Sequence, residues 1–206
     1  MTSVTPRPAE VRQLSTPAAL ALADLAGIFE DLQTVLRCCE RLMAELAPSR
    51  AGADDLALEA FWTTAVLSYG RCFAPSDRGQ NLTVEDVTAT GLSGDLAGWH
   101  ATLEQVRKHY ADPALNPREA FSVGVARSDA GSPAGVAVTS TQQPRVDEAT
   151  VRQTGAIAFE LSRIVDARIA EHQQVVYSAA SELQTGELDA LPLLDLVELE
   201  LEPDAG

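Results

Sequence analysis

The residues whose types and spacing could do chemistry lie between Trp99 and Phe121, in the run WHATLEQVRKHYADPALNPREAF. This stretch holds two of the three histidines, His100 and His109, and the only lysine, Lys108. An imidazole exchanges protons near neutral pH, and a guanidinium stabilises developing anionic charge. Arg107, His109 and Asp112, together with Arg71 from an earlier helix, are therefore the candidate site residues. If the two helices that carry them pack antiparallel, Arg71 is expected to reach the end of the later helix. There it would meet His109 and Asp112 in a buried or half-buried polar cluster. A structural Arg–Asp pair is the plainer reading of such a cluster, and a pocket for a small anion is the alternative.

The same helix has a second, simpler reading. His100, Glu104, Arg107 and Ala111 fall on one side at spacings of four, three and four. Lys108 follows Glu104 by four, and Asp112 follows Lys108 by four. Such surface ion pairs contribute a few tenths of a kcal/mol each, about 0.3. His109 stands beside the apolar position Tyr110, where a lone histidine is more often structural than catalytic. Other catalytic templates fail: the chain has no GxGxxG, no phosphate-binding loop and no GxSxG. Neither CxxC nor HxxxH spacing occurs, so no metal or other cofactor is expected.

These residues must be positioned by helices. Ser15 or Thr16 can cap a long helix with Pro17 in its first turn, where the missing N–H costs nothing. Apolar residues from Leu25 to Leu46 then recur at spacings of three and four, which predicts about seven turns with one apolar stripe. A second helix begins at Asp54 or Asp55 and buries Leu58, Phe61, Trp62, Ala65, Tyr69 and Phe73. A short helix over Leu82–Ala89, capped by Thr83, follows. Ser93 is expected to cap the helix that carries the candidate site, with Leu96, Trp99, Leu103, Val106 and Tyr110 on its apolar face. Two runs of strand period, Phe121-Val123-Val125 and Val136-Val138, flank the turn-forming SDAGSP. They predict a β-hairpin at about 119–140, which should lie against the helices because an isolated hairpin is marginal in water. Asp147 caps a last long helix predicted to run to about residue 184.

The expected fold is thus mainly α (α+β): a four-helix antiparallel bundle with long first and last helices and a two-stranded hairpin before the last. A flexible lead-in at 1–15, a single domain at 16–185 and an acidic tail at 186–206 complete the organisation. The tail, Glu187 to Gly206, has seven acidic residues and no basic one. Within it Val197 to Glu202 alternates strictly, which reads either as a solvated segment or as a strand added to a sheet edge.

The formal net charge is −15, which repels phosphate backbones and disfavours generic nucleic-acid binding. Three cysteines, two of them adjacent, form no disulfide framework and read as buried residues of a reducing compartment. The N-terminal residues contain no apolar run typical of a secretory leader, and no run is long enough for a membrane span. A cytoplasmic location in a GC-rich bacterium is expected. Long apolar stripes on the first and last helices could exceed what one bundle buries, so a homodimer is expected. The acidic tail could also engage a protein partner.

Several of these features together resemble the helical HEPN superfamily. They are the long first helix, a second helix carrying Tyr69-Gly70-Arg71-Cys72-Phe73, and a later helix ending in Val106-Arg107-Lys108-His109-Tyr110-Ala111-Asp112 before Asn116-Pro117. The resemblance implies metal-independent RNA cleavage by an Arg–His pair, and dimer formation. This chain departs at both ends of that pair, with Val106 at the Arg position and Asp112 at the His position. Arg107 and His109 do not replace it, because residues two apart on a helix face apart by about 200°. The resemblance therefore implies a catalytically degenerate domain with an interaction or regulatory role. A ribonuclease with an altered site at Arg71, Arg107, His109 and Asp112 is the alternative, and a small-anion binding module is a third.

Overall fold

A computed structural model describes residues 10–47, 52, 54–75, 79–116, 118–142 and 145–194. Along the chain, α1 (Pro17–Leu46), α2 (Asp55–Arg71), α3 (Val84–Ala89) and α4 (Leu96–Ala111) precede β1 (Glu119–Arg127) and β2 (Pro133–Gln142). Two helices follow, α5 (Glu148–Ser181) and α6 (Thr185–Asp189). The fold is a mainly helical α+β domain, as the apolar periodicity predicts.

Local chemistry sets most helix starts. The Thr16 hydroxyl accepts from the Ala19 N–H at 3.2 Å, with Pro17 at the first helical position. Asp54 accepts from the N–H groups of Leu56 and Ala57, and Asp147 accepts from that of Thr150 at 2.8 Å. At α4 the cap is Asp95, which accepts from Gly98 N–H at 2.9 Å, instead of Ser93. Gly94, at φ 109°, supplies the left-handed turn that separates the two positions. The last long helix ends three residues before the expected point. Gln184 N–H donates to Glu187 and opens α6 instead.

The α1 stripe of Leu25, Ile28, Leu32, Val35, Cys39 and Leu42 is buried against Val151, Ile157, Ala158, Leu161 and Val165 of α5. The two helices meet at Gly155, where an added Cβ would make an ordinary contact of 3.5 Å with Cys39 Cβ. Because α1 ends seven residues after Cys39 while α5 stays buried ten residues past Gly155, the two helices run antiparallel. On its other flank α1 packs against α2, and α2 against α4. Asp86 of α3 closes the far side: it accepts from Thr83 N–H at 2.9 Å and forms an ion pair with Arg168 of α5.

Two segments depart from expectation. The lead-in is not wholly free, because Val11, Arg12 and Gln13 pair with the chain beyond α6. Gln13 N–H donates to Pro192 O at 2.8 Å, and Leu194 N–H donates to Val11 O at 2.9 Å. The Arg12 guanidinium also donates to the carbonyls of Asp189 and Leu191. Residues 1–9 and the alternating part of the acidic tail, 197–202, lie outside the described residues.

The hairpin is the larger departure. Its register pairs Phe121 with Ser140, Val123 with Val138 and Val125 with Val136, and the strands pack chiefly on each other. It does not lie against the helices. Val123, Val125, Val136 and Val138 are 65–74% exposed and Phe121 is 59% exposed. Among the described residues, ion pairs tie the hairpin down near its base. Arg118 pairs with Glu59 at 2.5 Å, and Arg145 pairs with Asp55 at 2.6 Å, both at the N-terminal end of α2.

Candidate functional site

Antiparallel packing of α2 and α4 separates the four expected site residues. It sets the C-terminal end of α2 against the N-terminal half of α4, so Phe73 meets His100 with ring centroids 4.4 Å apart. Arg71 therefore stays far from Asp112. Its guanidinium binds Asp31 of α1 through Nε and Nη2, and Ser68 Oγ at 2.9 Å. Hydrogen bonding to Asp31 holds the Arg71 pKa above its ordinary value. Asp112 caps the turn after α4 by accepting from Ala114 N–H at 2.8 Å, and Asn116 accepts from Arg118 N–H at 2.9 Å. Asp112 and Asn116 thus build the turn into β1.

Arg107 and His109 point to different places, as their spacing requires. Arg107 donates to Glu104 Oε2 through Nη2 at 2.9 Å and Nε at 3.2 Å. Its stem crosses Gly70 so closely that a Cβ there would come within 1.9 Å of Arg107 Cδ. Gly70 is the one residue that lets this side chain through. Glu104 thus pairs with Arg107 three residues on, in place of the expected partner Lys108. His109 turns the other way, into a groove between α2, α4 and the start of α5.

The polar array that does form is Tyr69, His100, Glu104 and Arg107. The fully buried Tyr69 places its hydroxyl 3.0 Å from His100 Nδ1, and the imidazole ring lies against Phe73. Burial pushes the Tyr69 phenol well above its ordinary range, with Cys72 and Glu104 adding to the shift. Burial also lowers the His100 pKa, which Glu104 opposes. The protonated phenol and His100 Nδ1 share one hydrogen bond. The raised phenol pKa takes Tyr69 out of the proton exchange at neutral pH that general acid–base catalysis requires. Glu104 Oε1 is buried and has no hydrogen-bond partner among the described residues.

The thiols are equally unreactive. Burial raises Cys39 and Cys72 to about 12 and raises Cys38 as well, and all three are free. Among the described residues no group of three or more His, Cys, Asp or Glu side chains could hold a metal ion. No helix among them is long and apolar enough to cross a membrane.

The groove that receives His109 has a volume of about 470 Å³. It joins Trp62 of α2 to Trp99, Val106, His109 and Tyr110 of α4, to Arg145 ahead of α5 and to Thr150 in its first turn. Trp99 Nε1 is buried with no hydrogen-bond partner among the described residues. Trp62, Trp99 and Tyr110 carry a core-facing signal in the helix period. That signal does not distinguish a packed interior from a lined cavity.

The His100 arrangement sets a pH dependence. Unfolded, His100 binds a proton near its ordinary 6.5, and folded it does so only at lower pH. Stability from this residue is complete above pH 6.5 and is lost as pH falls through that value towards the folded pKa. The melting temperature should therefore decline between pH 7 and pH 5, and His100→Gln, which keeps an acceptor for Tyr69, should flatten that decline. Identical slopes in the two proteins would contradict the assignment.

Comparison of the chain with protein-family models, with curated proteins and with solved structures finds no match.

Proposed function

We propose that this chain is a non-catalytic interaction protein that works as a homodimer held by its hairpins. The observation that carries this reading is the uncovered apolar face formed by Phe121, Val123, Val125, Val136 and Val138. A two-stranded hairpin is marginal in water on its own, so such a face calls for a cover. Five side chains more than half exposed offer on the order of 500 Å² per copy. Two copies then reach the roughly 1,000 Å² that a specific interface needs.

A second copy is the favoured cover because of charge. Two molecules of net charge −15 repel over most of their surface. Between Glu119 and Arg127, and from Pro133 to Gln142, the hairpin carries no charge. Contact through Phe121, Val123, Val125, Val136 and Val138 sets no like charges against each other. Face-to-face packing of two hairpins, about 10 Å apart, would bury the valines of both. The reading agrees with a degenerate HEPN-like domain in a reducing, cytoplasmic setting, since three buried thiols suit such a compartment.

The ribonuclease alternative loses support from the same geometry. Arg71 is committed to Asp31 and Arg107 to Glu104, while His109 faces away from both. Asp112, at the other end of the resembled pair, would repel a phosphate.

Light scattering of the protein as it elutes from a sizing column tests the dimer. At about 100 µM the expected mass is twice the 21.9 kDa of one chain. Val123→Thr/Val138→Thr keeps β-branched residues in the strands, and it should shift the protein to a single-chain mass without unfolding it. A wild-type protein that elutes at one chain mass overturns the reading. Incubation with a labelled mixture of single-stranded RNA and tRNA tests the absence of catalysis. Cleavage that is lost in Arg107→Ala/His109→Ala would restore the nuclease alternative, and intact RNA is expected.

A further inference from the structure

Both tryptophans of the chain, Trp62 and Trp99, line the same groove although they lie on different helices, and Tyr110 joins them. Aromatic residues make up only 5% of the sequence, so this gathering is a local feature of the fold. The cavity of about 470 Å³ falls in the range of small-molecule sites. Among the described residues its lining includes no Asp or Glu, although the chain has 30 of them, and it includes Arg145 and His109.

Arg145 is the donor there with capacity for a ligand. Arg145 spends one nitrogen on Asp55 at 2.6 Å, in a pair whose side chains are 63% and 60% exposed. Such an exposed pair is weak, and a guanidinium has five N–H donors. Arg145 can therefore receive a second anion at the groove mouth.

We infer that the groove binds a small planar aromatic acid. Its ring lies among Trp62, Trp99 and Tyr110, where offset or edge-to-face contacts between aromatic systems are favourable. Its carboxylate meets Arg145. This reading is independent of the hairpin interface, because the lining residues come from α2, α4 and the chain entering α5, and none from β1 or β2.

Because the groove holds every tryptophan of the chain, indole emission reports directly on its occupancy. The full-length protein is titrated with 4-nitrobenzoate, a planar acid that quenches indole emission. Titration with 4-nitrobenzylamine offers the same ring with a cation. Saturable quenching by the acid below about 1 mM, with affinity about tenfold above that of the amine, is expected. Arg145→Gln should remove the preference for the acid while leaving the amine unchanged. A melting curve confirms that this variant folds. Non-saturable quenching equal to that of free tryptophan, equal or tighter binding of the amine, or an unchanged preference in Arg145→Gln would overturn the inference.

Discussion

Everything else in the molecule depends on the antiparallel seam between α1 and α5. Leu32, Val35 and Leu42 of the first helix, and Ile157, Ala158, Leu161 and Val165 of the second, are fully buried. Each buried leucine or isoleucine contributes about 1.5–3 kcal/mol of transfer free energy, so the seam holds a large share of the hydrophobic stabilisation. Gly155 and Cys39 face each other across the seam, with room for a Cβ at position 155. On this frame α1 also receives α2, and α2 in turn receives α4. The polar array and the aromatic groove both sit on α4, and they are therefore placed by contacts that begin at the seam.

The α2–α4 contact then divides the chemistry of α4 between two faces. One face carries His100, Glu104 and Arg107 onto Tyr69, Phe73 and Gly70, where burial keeps the imidazole neutral and the phenol protonated. Such a buried network specifies one packing of two helices. The other face turns Trp99, Val106, His109 and Tyr110 towards Trp62 and the entry to α5. The 100° step of the helix separates the two groups, and with them the roles of Arg107 and His109.

Features set by local chemistry were legible in the residues. The Thr16–Pro17 start, the Asp54 and Asp147 caps, the 3–4 stripe of α1 and the alternation of β1 all depend on near neighbours in sequence, and all appear where expected. What was not legible depends on tertiary placement. Arg71 finds Asp31, forty residues earlier, because α1 lies beside α2. Gly70 is needed only because Arg107 crosses it, thirty-seven residues later. Trp62 and Trp99 give the periodic signal of a core face, and only the packing shows that they border a cavity. Alternation in β1 and β2 marked a strand pair with one apolar face, but it carries no information about what covers that face.

That uncovered face is where the account is most exposed to test. Hydrogen–deuterium exchange of the backbone amides from Glu119 to Gln142, followed at rising protein concentration, examines it directly. If two copies cover each other's hairpins, protection should be weak in dilute solution and rise steeply as dimers form, while the amides of α1 and α5 stay protected throughout. Exchange across the hairpin that is the same at every concentration would contradict the account.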